Sequence, residues 1–489
     1  MNILFSTSEA VPFARTGGLA DVSASLPCAL ERLGQNVSLV LPAYKSVFNS
    51  GLPLKDTGIR FPVTIGSRTL SAKIWKSKLP ECDVPVFFVH QDEYFNRNEL
   101  YTENGNDYGD NCERFVFFCR AVMEMISVMK LKVDILHTND WQMGLIPALQ
   151  SILYRNKSGY ENIATVHTIH NLAYQGIFWH WDLLLTGIGW EHFTFSELEF
   201  YGKLNLMKAG IVFADGITTV SPQYAVEIQS PAFGYGLETV LQSRSPLLRG
   251  ILNGVCMQRW NPETDPYIAA QYNAANVLEK KPVCKHDLQA KLGLATHNYA
   301  PLCGVVSRFA SQKGIDLIAD VIPLWVEKHG VQFCLLGKGD PHLEARLLAL
   351  AAQYPENVAV RLEFSDELSH KIEAGADLFL MPSRYEPCGL NQMYSQIYGT
   401  VPLVRDTGGL ADTVTDLNEE TLENHTATGF SFWLDDVHGL NTTLWRALDV
   451  YWNRRDIWNM LVQNGMRQDW SWAKSAVQYV RFYEKVIKK

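Results

Sequence analysis

The feature that most constrains the fold is an alternation of short apolar runs with helical stretches along the whole chain. The runs are rich in β-branched residues, and we expect them to be strands at Asn2–Ser6, Val37–Leu41, Val86–Val89, Asp134–His137, Ile163–His167, Gly216–Val220, Leu302–Val306, Gln332–Leu336, Leu378–Met381 and Pro402–Val404. Apolar strands separated by helices are typical of parallel sheets that helices cover on both faces. The sequence therefore predicts an α/β fold.

A six-residue segment occurs twice and indicates two domains. Thr16-Gly-Gly-Leu-Ala-Asp21 returns as Thr407-Gly-Gly-Leu-Ala-Asp412, and each copy precedes an expected helix (Leu19–Leu33 and Leu410–Leu417). Ligands of doubly wound sheets bind beyond the carboxyl ends of the strands, at strand-to-helix turns of this kind. The repeat favours two Rossmann-like domains that face each other, although paired glycines also serve simply to permit tight turns.

The domain boundary is expected near residues 253–262, because Pro, Asn and Asp interrupt the regular pattern between Trp260 and Pro266. We therefore predict a first domain over residues 1–255 and a second over residues 256–468. The remaining segment, 469–489, is predicted to be an amphipathic helix. Its apolar residues at helical spacing are Trp472, Ala476, Tyr479, Phe482 and Tyr483.

Charge and cysteine content argue against several classes of protein. The 489 residues include 43 basic and 52 acidic side chains, a net charge of −9, so we expect no nucleic-acid partner, because backbone binding needs a basic surface. Nine scattered cysteines without a Cys-x-x-Cys pair predict reduced thiols in a cytoplasmic protein, with neither disulfides nor structural zinc. No apolar stretch reaches 18 residues and the start lacks signal-peptide features, so we expect no membrane partner.

Two charged clusters follow expected strands. Residues 307–314 supply the cations Arg308 and Lys313 at the opening of a helix, an arrangement that suits a diphosphate, although a solvated basic turn is the alternative. Residues 381–390 contain Glu386, which precedes a proline and is therefore pushed out of the helical backbone region. A carboxylate at the tip of a strand suits a positively charged sugar transition state, although such a carboxylate also commonly interacts with a helix dipole.

Two further strand ends carry polar clusters, His137 with Asp140 and His167 with His170. Residues i and i+3 of a strand point to opposite faces, so we expect no metal at the second pair and one of its histidines in the core. The sequence holds no Asp-x-Asp triplet, which disfavours a metal-held diphosphate. Gly-x-Gly-x-x-Gly and Walker motifs are also missing from it, which disfavours dehydrogenases and P-loop enzymes.

In their order along the chain, these segments resemble bacterial glycogen synthases, the starch synthase-type retaining glucosyltransferases that use ADP-glucose. The resemblance covers nearly the whole chain and rests on Thr16–Asp21, His137–Trp141, His170–Gly176, Glu199–Gly202, Thr219–Pro222, Gly234–Leu237, Ile251–Gly254, Ser307–Gly314, Ser383–Leu390, Thr407–Val414 and Ser471-Trp472. It implies the GT-B architecture, in which two Rossmann-like domains face each other across a deep cleft that holds the site. The first domain is then the acceptor side, the second binds the nucleotide sugar, and the helix at 469–489 packs back on the first.

The same resemblance implies a catalytic set of Glu386, Arg308, Lys313, His170 and Asp140. The two cations would stabilise the diphosphate of donor and leaving group, the glutamate would lie beside the transferred glucose, and the last two would contact the sugar. Phe364 stands where the family places an aromatic ring against adenine. The other residues expected to bind the nucleotide sugar are Arg15, Gly17, Gly18, Asn253, Ser383, Cys388, Gly389, Leu390, Thr407, Gly408 and Gly409.

Two departures from the family pattern matter. Arg15 replaces the usual lysine before Thr-Gly-Gly, which keeps the charge but exchanges a compact ammonium for a planar fork, so we expect binding of altered strength. Cys256 replaces an aspartate after Asn253-Gly-Val, which puts local hinge contacts in doubt rather than the chemistry.

By resemblance, the function is transfer of glucose from ADP-glucose to the non-reducing end of an α-1,4-glucan such as glycogen, with retention and release of ADP. No cofactor or metal is implied. Two alternatives stay open: a glucosyltransferase of the same fold that uses UDP-glucose or another acceptor, and a catalytically silent glucan-binding protein.

Overall fold

The computed structural model describes residues 1–296 and 299–488, and the chain forms two compact units. Unit 1 contains Met1–Gly254 together with the C-terminal segment that begins at Trp472, and unit 2 contains Val255–Ser471. The chain therefore passes from unit 1 to unit 2 between Gly254 and Val255. Lys489, the last residue of the expected C-terminal helix, lies outside the described residues.

Unit 1 is built on a nine-stranded sheet with the order β14-β13-β9-β8-β1-β2-β5-β4-β3. The strands of this unit are β1 (Asn2–Ser6), β2 (Asn36–Pro42), β3 (Lys55–Ile65), β4 (Arg68–Lys78), β5 (Pro85–His90), β6 (Thr102–Glu103), β7 (Asn106–Asp107), β8 (Ile135–Asn139), β9 (Ala164–Ile169), β10 (Ile177–Trp179), β11 (Glu199–Phe200), β12 (Lys203–Asn205), β13 (Gly216–Thr219) and β14 (Leu248–Gly250). Strands β10, β12 and β11 form a small antiparallel sheet, and β6 pairs with β7.

Helices lie between the strands of unit 1, so the α/β pattern read from the sequence is confirmed here. They are α1 (Gly18–Arg32), α2 (Lys45–Phe48), α3 (Asp92–Phe95), α4 (Asn111–Val128), α5 (Asp140–Met143), α6 (Leu145–Leu149), α7 (Leu183–Thr186), α8 (Leu206–Phe213), α9 (Pro222–Glu227) and α10 (Glu238–Ser243). Neighbours β1, β2, β8, β9 and β13 pair in parallel, and the side chains of β8 are buried along its whole length. The core of the unit therefore lies along these central strands.

The edge of the unit 1 sheet departs from the expected pattern. Strands β3 and β4 form an antiparallel hairpin, and β4 also runs antiparallel to β5. Lys55–Ile65 and Arg68–Lys78 alternate between exposed and buried side chains instead of forming an apolar run. Such alternation is typical of an antiparallel edge with one solvated face, and our search for continuous apolar runs did not detect it.

Unit 2 contains a six-stranded sheet, in the order β17-β16-β15-β18-β19-β20, in which all neighbours are parallel. Its strands are β15 (Leu302–Val306), β16 (Gln332–Leu336), β17 (Val358–Arg361), β18 (Leu378–Met381), β19 (Val401–Arg405) and β20 (Phe430–Phe432). Its helices are α11 (Val277–Leu292), α12 (Ile315–His329), α13 (Pro341–Gln353), α14 (Asp366–Gly375), α15 (Asn391–Ile397), α16 (Gly408–Thr413), α17 (Glu419–Glu423), α18 (Val437–Asn453) and α19 (Arg455–Met466). All ten strands expected in the two units are present, with ends shifted by at most two residues.

The last helix, α20 (Trp472–Ile487), belongs to unit 1. Its apolar face, which includes Tyr479 and Tyr483, is buried in the core of that unit. The Tyr483 hydroxyl lies 2.7 Å from Nδ1 of His137, in the middle of the central strand β8. A Cβ on Gly254 would lie 2.6 Å from the backbone of Trp472, so the chain leaves and re-enters unit 1 at one tightly packed point.

The expectation that all nine cysteines are reduced thiols is wrong in this structure. Cys28 of α1 and Cys82 of the loop after β4 form a disulfide with 5.6 Å between their Cα atoms, and the other seven cysteines are free. The two partners are 54 residues apart in the chain, so no local spacing pattern identifies them. Among the described residues, no helix combines the length and the apolar character that crossing a membrane requires.

Candidate active site

The site residues of unit 2 lie on loops that follow neighbouring parallel strands. Strands β15, β18 and β19 are adjacent, and the loops after them begin at Ser307, Pro382 and Asp406. Parallel strands end at the same edge of a sheet, which brings the three loops together. This edge is where the sequence places the cations, the glutamate and the second Thr-Gly-Gly segment.

Lys313 and Glu386 form an ion pair across two of these loops. Nζ of Lys313 lies 2.6 Å from Oε2 of Glu386, and the Ser383 hydroxyl donates to the same oxygen at 3.1 Å. The glutamate side chain is 7% exposed and the lysine side chain 24% exposed. A buried carboxylate is thus held by a cation and a hydroxyl, with the cation still open to solvent.

Gln312 joins the same two loops through both its side chain and its backbone. Its side-chain Nε2 donates to the backbone carbonyl of Tyr385 at 3.2 Å, and its backbone carbonyl accepts from the backbone N–H of Arg384 at 2.8 Å. Arg308 donates from a guanidinium nitrogen to Oε1 of Gln312 at 3.2 Å. Both cations predicted for the diphosphate therefore belong to one hydrogen-bonded network with the glutamate loop.

Glycines allow the loops to approach this closely. Gly314 has φ +67°, and a Cβ there would lie 2.1 Å from the carbonyl oxygen of Pro382. Gly408 has φ +47°, and a Cβ there would lie 2.0 Å from the carbonyl oxygen of Glu386. The Gly409 N–H donates to that same carbonyl at 3.1 Å. The second Thr-Gly-Gly segment therefore packs directly on the backbone of the glutamate.

The remaining unit 2 residues of the predicted set differ in exposure. Ser383, Cys388 and Thr407 are buried, and Leu390 and Thr407 precede the helices α15 and α16. Gly389 has φ +71°, which permits the turn into α15. Phe364 lies in the loop after β17, at the same edge of the sheet, with 85% of its surface exposed.

In unit 1, the first Thr-Gly-Gly segment is held by Glu9, which follows strand β1. The Glu9 carboxylate accepts from the backbone N–H and the hydroxyl of Thr16, both at 2.5 Å, and from the Gly17 N–H at 3.2 Å. The Tyr101 hydroxyl donates to it at 2.7 Å. Glu9 is 4% exposed, so a buried side chain fixes the backbone of this loop.

Arg15 lies on the same loop. Its guanidinium forms an ion pair with Asp21 of α1 at 3.3 Å, and the arginine side chain is 46% exposed. Gly17 immediately precedes α1, and a Cβ on it would meet no atom within 4 Å. The loop thus presents a cation and a small backbone surface beside the start of the helix.

Asp140 and His170 lie together at the ends of β8 and β9. Oδ1 of Asp140 accepts from the backbone N–H of His170 at 2.7 Å and of Asn171 at 3.3 Å. Burial raises the pKa of Asp140 to about 7, although the two N–H donors oppose the shift. Asp140 has φ +54°, an uncommon conformation for a residue with a side chain. The Asp140 backbone is therefore strained at the position from which its carboxyl group reaches the N–H groups that follow β9.

The three histidines of this region are uncharged near neutral pH. Burial lowers the pKa of His170 and of His167 to about 3, and it lowers the pKa of His137 well below its ordinary value. His137 and His167 are fully buried, and only His170 keeps partial exposure. The expectation that one histidine of the second pair is core is confirmed for His167. Among the described residues, no group of three or more His, Cys, Asp or Glu side chains could hold a metal ion.

Asn253 lies at the end of unit 1 and is 6% exposed. Within the described part of the chain, its buried Oδ1 has no hydrogen-bond partner. A buried carbonyl oxygen without a donor is costly, so this atom is suited to accept a hydrogen bond from a bound hydroxyl or N–H group.

The structure gathers the predicted residues into two groups, each within its own unit. Unit 2 joins Arg308, Lys313, Ser383, Glu386 and Gly408–Gly409. Unit 1 places the Arg15–Gly18 loop after β1, and the Asp140–His170 pair after β8 and β9. Strand β1 lies beside β8 in the sheet, so both unit 1 features belong to the carboxyl edge of adjacent strands.

Sequence reasoning missed Glu9 and Gln312 as site-forming residues. Glu9 has a detectable signal, because an acidic residue stands between two apolar runs, three residues after the end of a strand and shortly before Thr16. Gln312 has none, because an amide beside a lysine is indistinguishable from a surface residue until the neighbouring loop is known.

Comparison with known proteins agrees with this organisation. Residues 2–243 match the family described as starch synthase catalytic domain, and residues 295–432 match the glycosyl transferases group 1 family. The catalytic domain of starch synthase IV from Arabidopsis thaliana, solved bound to ADP and acarbose, has a TM-score of 0.91 and 33% identity and covers 100% of this chain and 99% of its own. Sucrose-phosphate synthase from Thermosynechococcus elongatus has a TM-score of 0.62 at 18% identity, which shows the fold alone.

The fold and the matched families define a glycosyltransferase with the GT-B fold of two α/β domains. The glycogen synthase of Rhodopirellula baltica is 42% identical over 100% of this chain and 98% of the relative, and that of Syntrophotalea carbinolica is 43% identical over 100% and 99%. The chain belongs to the glycogen synthase family. The expected fold class, enzyme class and glycogen synthase function are thereby confirmed.

Proposed function

We propose that this enzyme transfers glucose from ADP-glucose to the non-reducing end of an α-1,4-glucan, with retention of configuration and release of ADP. Family membership supports a nucleotide sugar as donor and a glucan as acceptor. The structural relative with bound ADP and acarbose supports adenine as the donor base and an oligosaccharide as the acceptor. On this proposal, Phe364, which is 85% exposed, is free to stack on the base.

The leaving diphosphate gains negative charge as the glycosidic bond breaks. We assign its stabilisation to Arg308 and Lys313, whose loop opens helix α12. Cations that are already in position stabilise such charge without reorganisation at the moment of reaction. The hydrogen bond from Arg308 to Gln312 supports this role, because it ties the guanidinium to the same loop as Lys313.

We assign to Glu386 the stabilisation of the positive charge that develops on the sugar. It is the only acidic member of the catalytic set in unit 2, and it pairs with Lys313 at 2.6 Å although its side chain is buried. A carboxylate in this position either stabilises an oxocarbenium-like ion pair or attacks as a nucleophile. Both routes give retention, and both require the ionised form.

We assign to the unit 1 residues the binding of the sugar and of the donor diphosphate. His170, which is uncharged, and Asp140 would contact hydroxyl groups of the sugar. The unpartnered Oδ1 of Asn253 would accept one hydrogen bond from the ligand. Gly17 and Gly18 would let the backbone approach the donor, and Arg15 would add a positive charge. Glycogen is the proposed physiological acceptor.

The observation that carries the proposal is the Lys313–Glu386 pair at the common edge of three loops. The test is ADP release from ADP-, UDP- and GDP-glucose, each with and without glycogen. We expect ADP-glucose to be used at least roughly tenfold faster than the other donors, and only with glycogen present. Faster use of UDP-glucose would support the alternative donor, and glycogen binding without release of any nucleotide would support a silent glucan-binding protein.

We also propose that the enzyme works in the cytoplasm. Seven of its nine cysteines are free thiols, as is typical of a reducing compartment, and the Cys28–Cys82 disulfide is the exception to this pattern. The net charge of −9 supports the absence of a nucleic-acid partner. Fractionation of the native host, with the enzyme followed by ADP-glucose-dependent activity, tests the location. Recovery of the activity outside the cytoplasmic fraction would overturn it.

A further inference from the structure

Arg384 lies two residues before Glu386, in the loop after β18, and its guanidinium is bound within unit 2. Its Nη1 and Nη2 donate to the two carboxylate oxygens of Asp316 at 2.8 and 2.7 Å. Nη1 also donates to the hydroxyl of Ser311 at 3.0 Å and to the carbonyl of the same residue, and Nε lies 3.4 Å from Oδ1 of Asp435. Each guanidinium nitrogen of this arginine therefore lies against an oxygen of the protein itself.

Two of these partners lie on either side of Lys313 in the chain. Ser311 begins the short 3-10 turn Ser311–Lys313, and Asp316 lies in the first turn of α12. The lysine turn is thus bound to Arg384 both before and after the lysine. One side chain of the Glu386 loop therefore fixes the segment that presents the Lys313 ammonium.

The pair of Arg384 with Asp316 has the geometry of a strong ionic contact. Two parallel N–H donors to one carboxylate add directional specificity to the charge attraction. The two side chains are 29% and 30% exposed, so solvent screens the pair only in part. Burial raises the pKa of Asp316, but its hydrogen bonds with Arg384 outweigh this effect, so the pKa lies below its ordinary value.

The backbone of Arg384 continues directly into the carboxylate site. Its N–H donates to the carbonyl of Gln312 at 2.8 Å, and Nη1 of Arg405, at the end of β19, donates to its carbonyl at 2.5 Å. The preceding residue, Ser383, donates its hydroxyl to Glu386 at 3.1 Å. A displacement of Arg384 therefore displaces the hydroxyl and the carboxylate on either side of it.

We propose that Arg384 is a positioning residue for glucose transfer, because its pair with Asp316 fixes the Glu386 carboxylate and the Lys313 ammonium relative to each other. The proposal rests on the proposed function, since it takes the roles assigned there to the glutamate and the lysine. A misplacement of reacting groups by about 1 Å can cost about a hundredfold in rate. Arg384 acts on the rate of transfer and not on donor affinity, because its guanidinium is already bound to the protein.

The test compares wild type with Arg384→Gln and with the matched control Arg346→Gln. Arg346 of α13 pairs with Asp320, one turn further along the same helix α12, and so anchors that helix away from the Glu386 loop. The turnover with ADP-glucose and glycogen and the dissociation constant of ADP are measured on the intact enzyme. We expect Arg384→Gln to lower kcat at least roughly tenfold while the dissociation constant stays within about threefold. The control should keep both values within about twofold of wild type.

A second set of variants tests whether the arginine acts through Asp316. Asp316→Asn should lower kcat by a similar factor, and its combination with Arg384→Gln should add little, because both changes break one pair. Arg384→Lys should recover only part of the turnover, since an ammonium keeps the charge but not the two parallel donors. Amide hydrogen exchange over residues 307–316 and 382–390 should be roughly tenfold faster in Arg384→Gln and unchanged in the control.

The outcomes separate this inference from the proposed function. A kcat of Arg384→Gln equal to that of wild type, equal losses in the control, or additive effects of the Asp316 and Arg384 changes would overturn the positioning role. Weaker binding of ADP with unchanged kcat would show that Arg384 contacts the donor directly, which also overturns it. Wild type that releases no ADP overturns the proposed function itself, and the exchange comparison then still decides whether Arg384 holds the two loops together.

Discussion

Nζ of Lys313 lies 2.6 Å from the carboxylate of Glu386, whose side chain is 7% exposed. Removing the lysine leaves a buried carboxylate without its cation, which is strongly unfavourable. The Lys313 ammonium therefore contributes to the stability of unit 2 through this pair, and the same ammonium is available to bind a diphosphate.

Lys313→Met is expected to lower both activity and stability. We expect kcat/KM for ADP-glucose to fall by at least roughly a hundredfold, and unfolding free energy to fall by about 3 kcal/mol, because one electrostatic stabiliser and one buried pair are lost. ADP-release kinetics and chemical denaturation measure the two effects. Lys328→Met, at an exposed lysine near the end of α12, should change neither, and equal kinetics for the two variants would contradict the role of Lys313.

The raised pKa of Asp140, about 7, predicts a pH dependence of stability. The folded state keeps the proton between the ordinary pKa of about 4 and 7, where the unfolded state has lost it, so stability falls as pH rises through this window. The wild type should lose up to about 4 kcal/mol relative to Asp140→Asn between pH 4 and 7, and nothing further above pH 8. Denaturant titrations of both proteins at each pH measure this, and parallel stability curves would refute it.

Glu9 is expected to act as a positioning residue for the Thr16–Gly18 loop. One Glu9 oxygen accepts from the Thr16 and Gly17 N–H groups and the other accepts from the Thr16 and Tyr101 hydroxyls, so Glu9→Gln replaces one of these two acceptors by an N–H donor. Hydrogen bonds to charged groups contribute about 1.5–3 kcal/mol each, so we expect at least roughly a tenfold rise in the KM for ADP-glucose. Tyr101→Phe removes a single donor to the same carboxylate and should have a smaller effect.

A double-mutant cycle with Thr16→Val distinguishes positioning from a general loss of stability. If Glu9 acts through the loop, the effects on KM are not additive, since both changes act on the hydrogen bond from the Thr16 hydroxyl to the Glu9 carboxylate. Additive effects, or a loss of thermal stability with unchanged KM, would show that Glu9 is only structural.

The Cys28–Cys82 disulfide is expected to stabilise unit 1 without affecting catalysis. It closes a loop with a sequence separation of 54, which in a chain-entropy estimate contributes about 4 kcal/mol. Cys28→Ser/Cys82→Ser should therefore unfold at lower denaturant concentration with kcat unchanged. If reduction of the wild type by dithiothreitol leaves its denaturation curve unmoved, the bond is not formed in solution.

The central strands and the charged loops could be predicted because both depend on local sequence. Apolar runs fix the parallel strands, and parallel strands end at one edge, so Arg308, Lys313 and Glu386 could be expected together from their positions after strands. The edge hairpin β3–β4 lacks such runs, because its side chains alternate between solvent and core.

The contacts that complete the site depend on how loops meet in space. Gln312 reaches Tyr385 across 73 residues, and Cys28 reaches Cys82 across 54. Neither pair has a spacing rule, because the distance between them is set by strand order and not by the chain. The closeness of Gly408 to the Glu386 carbonyl is likewise a consequence of the adjacency of β18 and β19.

The single-turnover rate of glucose transfer in Glu386→Gln at saturating ADP-glucose and glycogen tests the central claim most directly. The amide keeps the shape of the side chain but not its charge. We expect the rate to fall by at least roughly a hundredfold, with donor affinity within about threefold of wild type, because the carboxylate acts on the transition state. A rate equal to that of wild type would remove Glu386 from the mechanism and contradict the account.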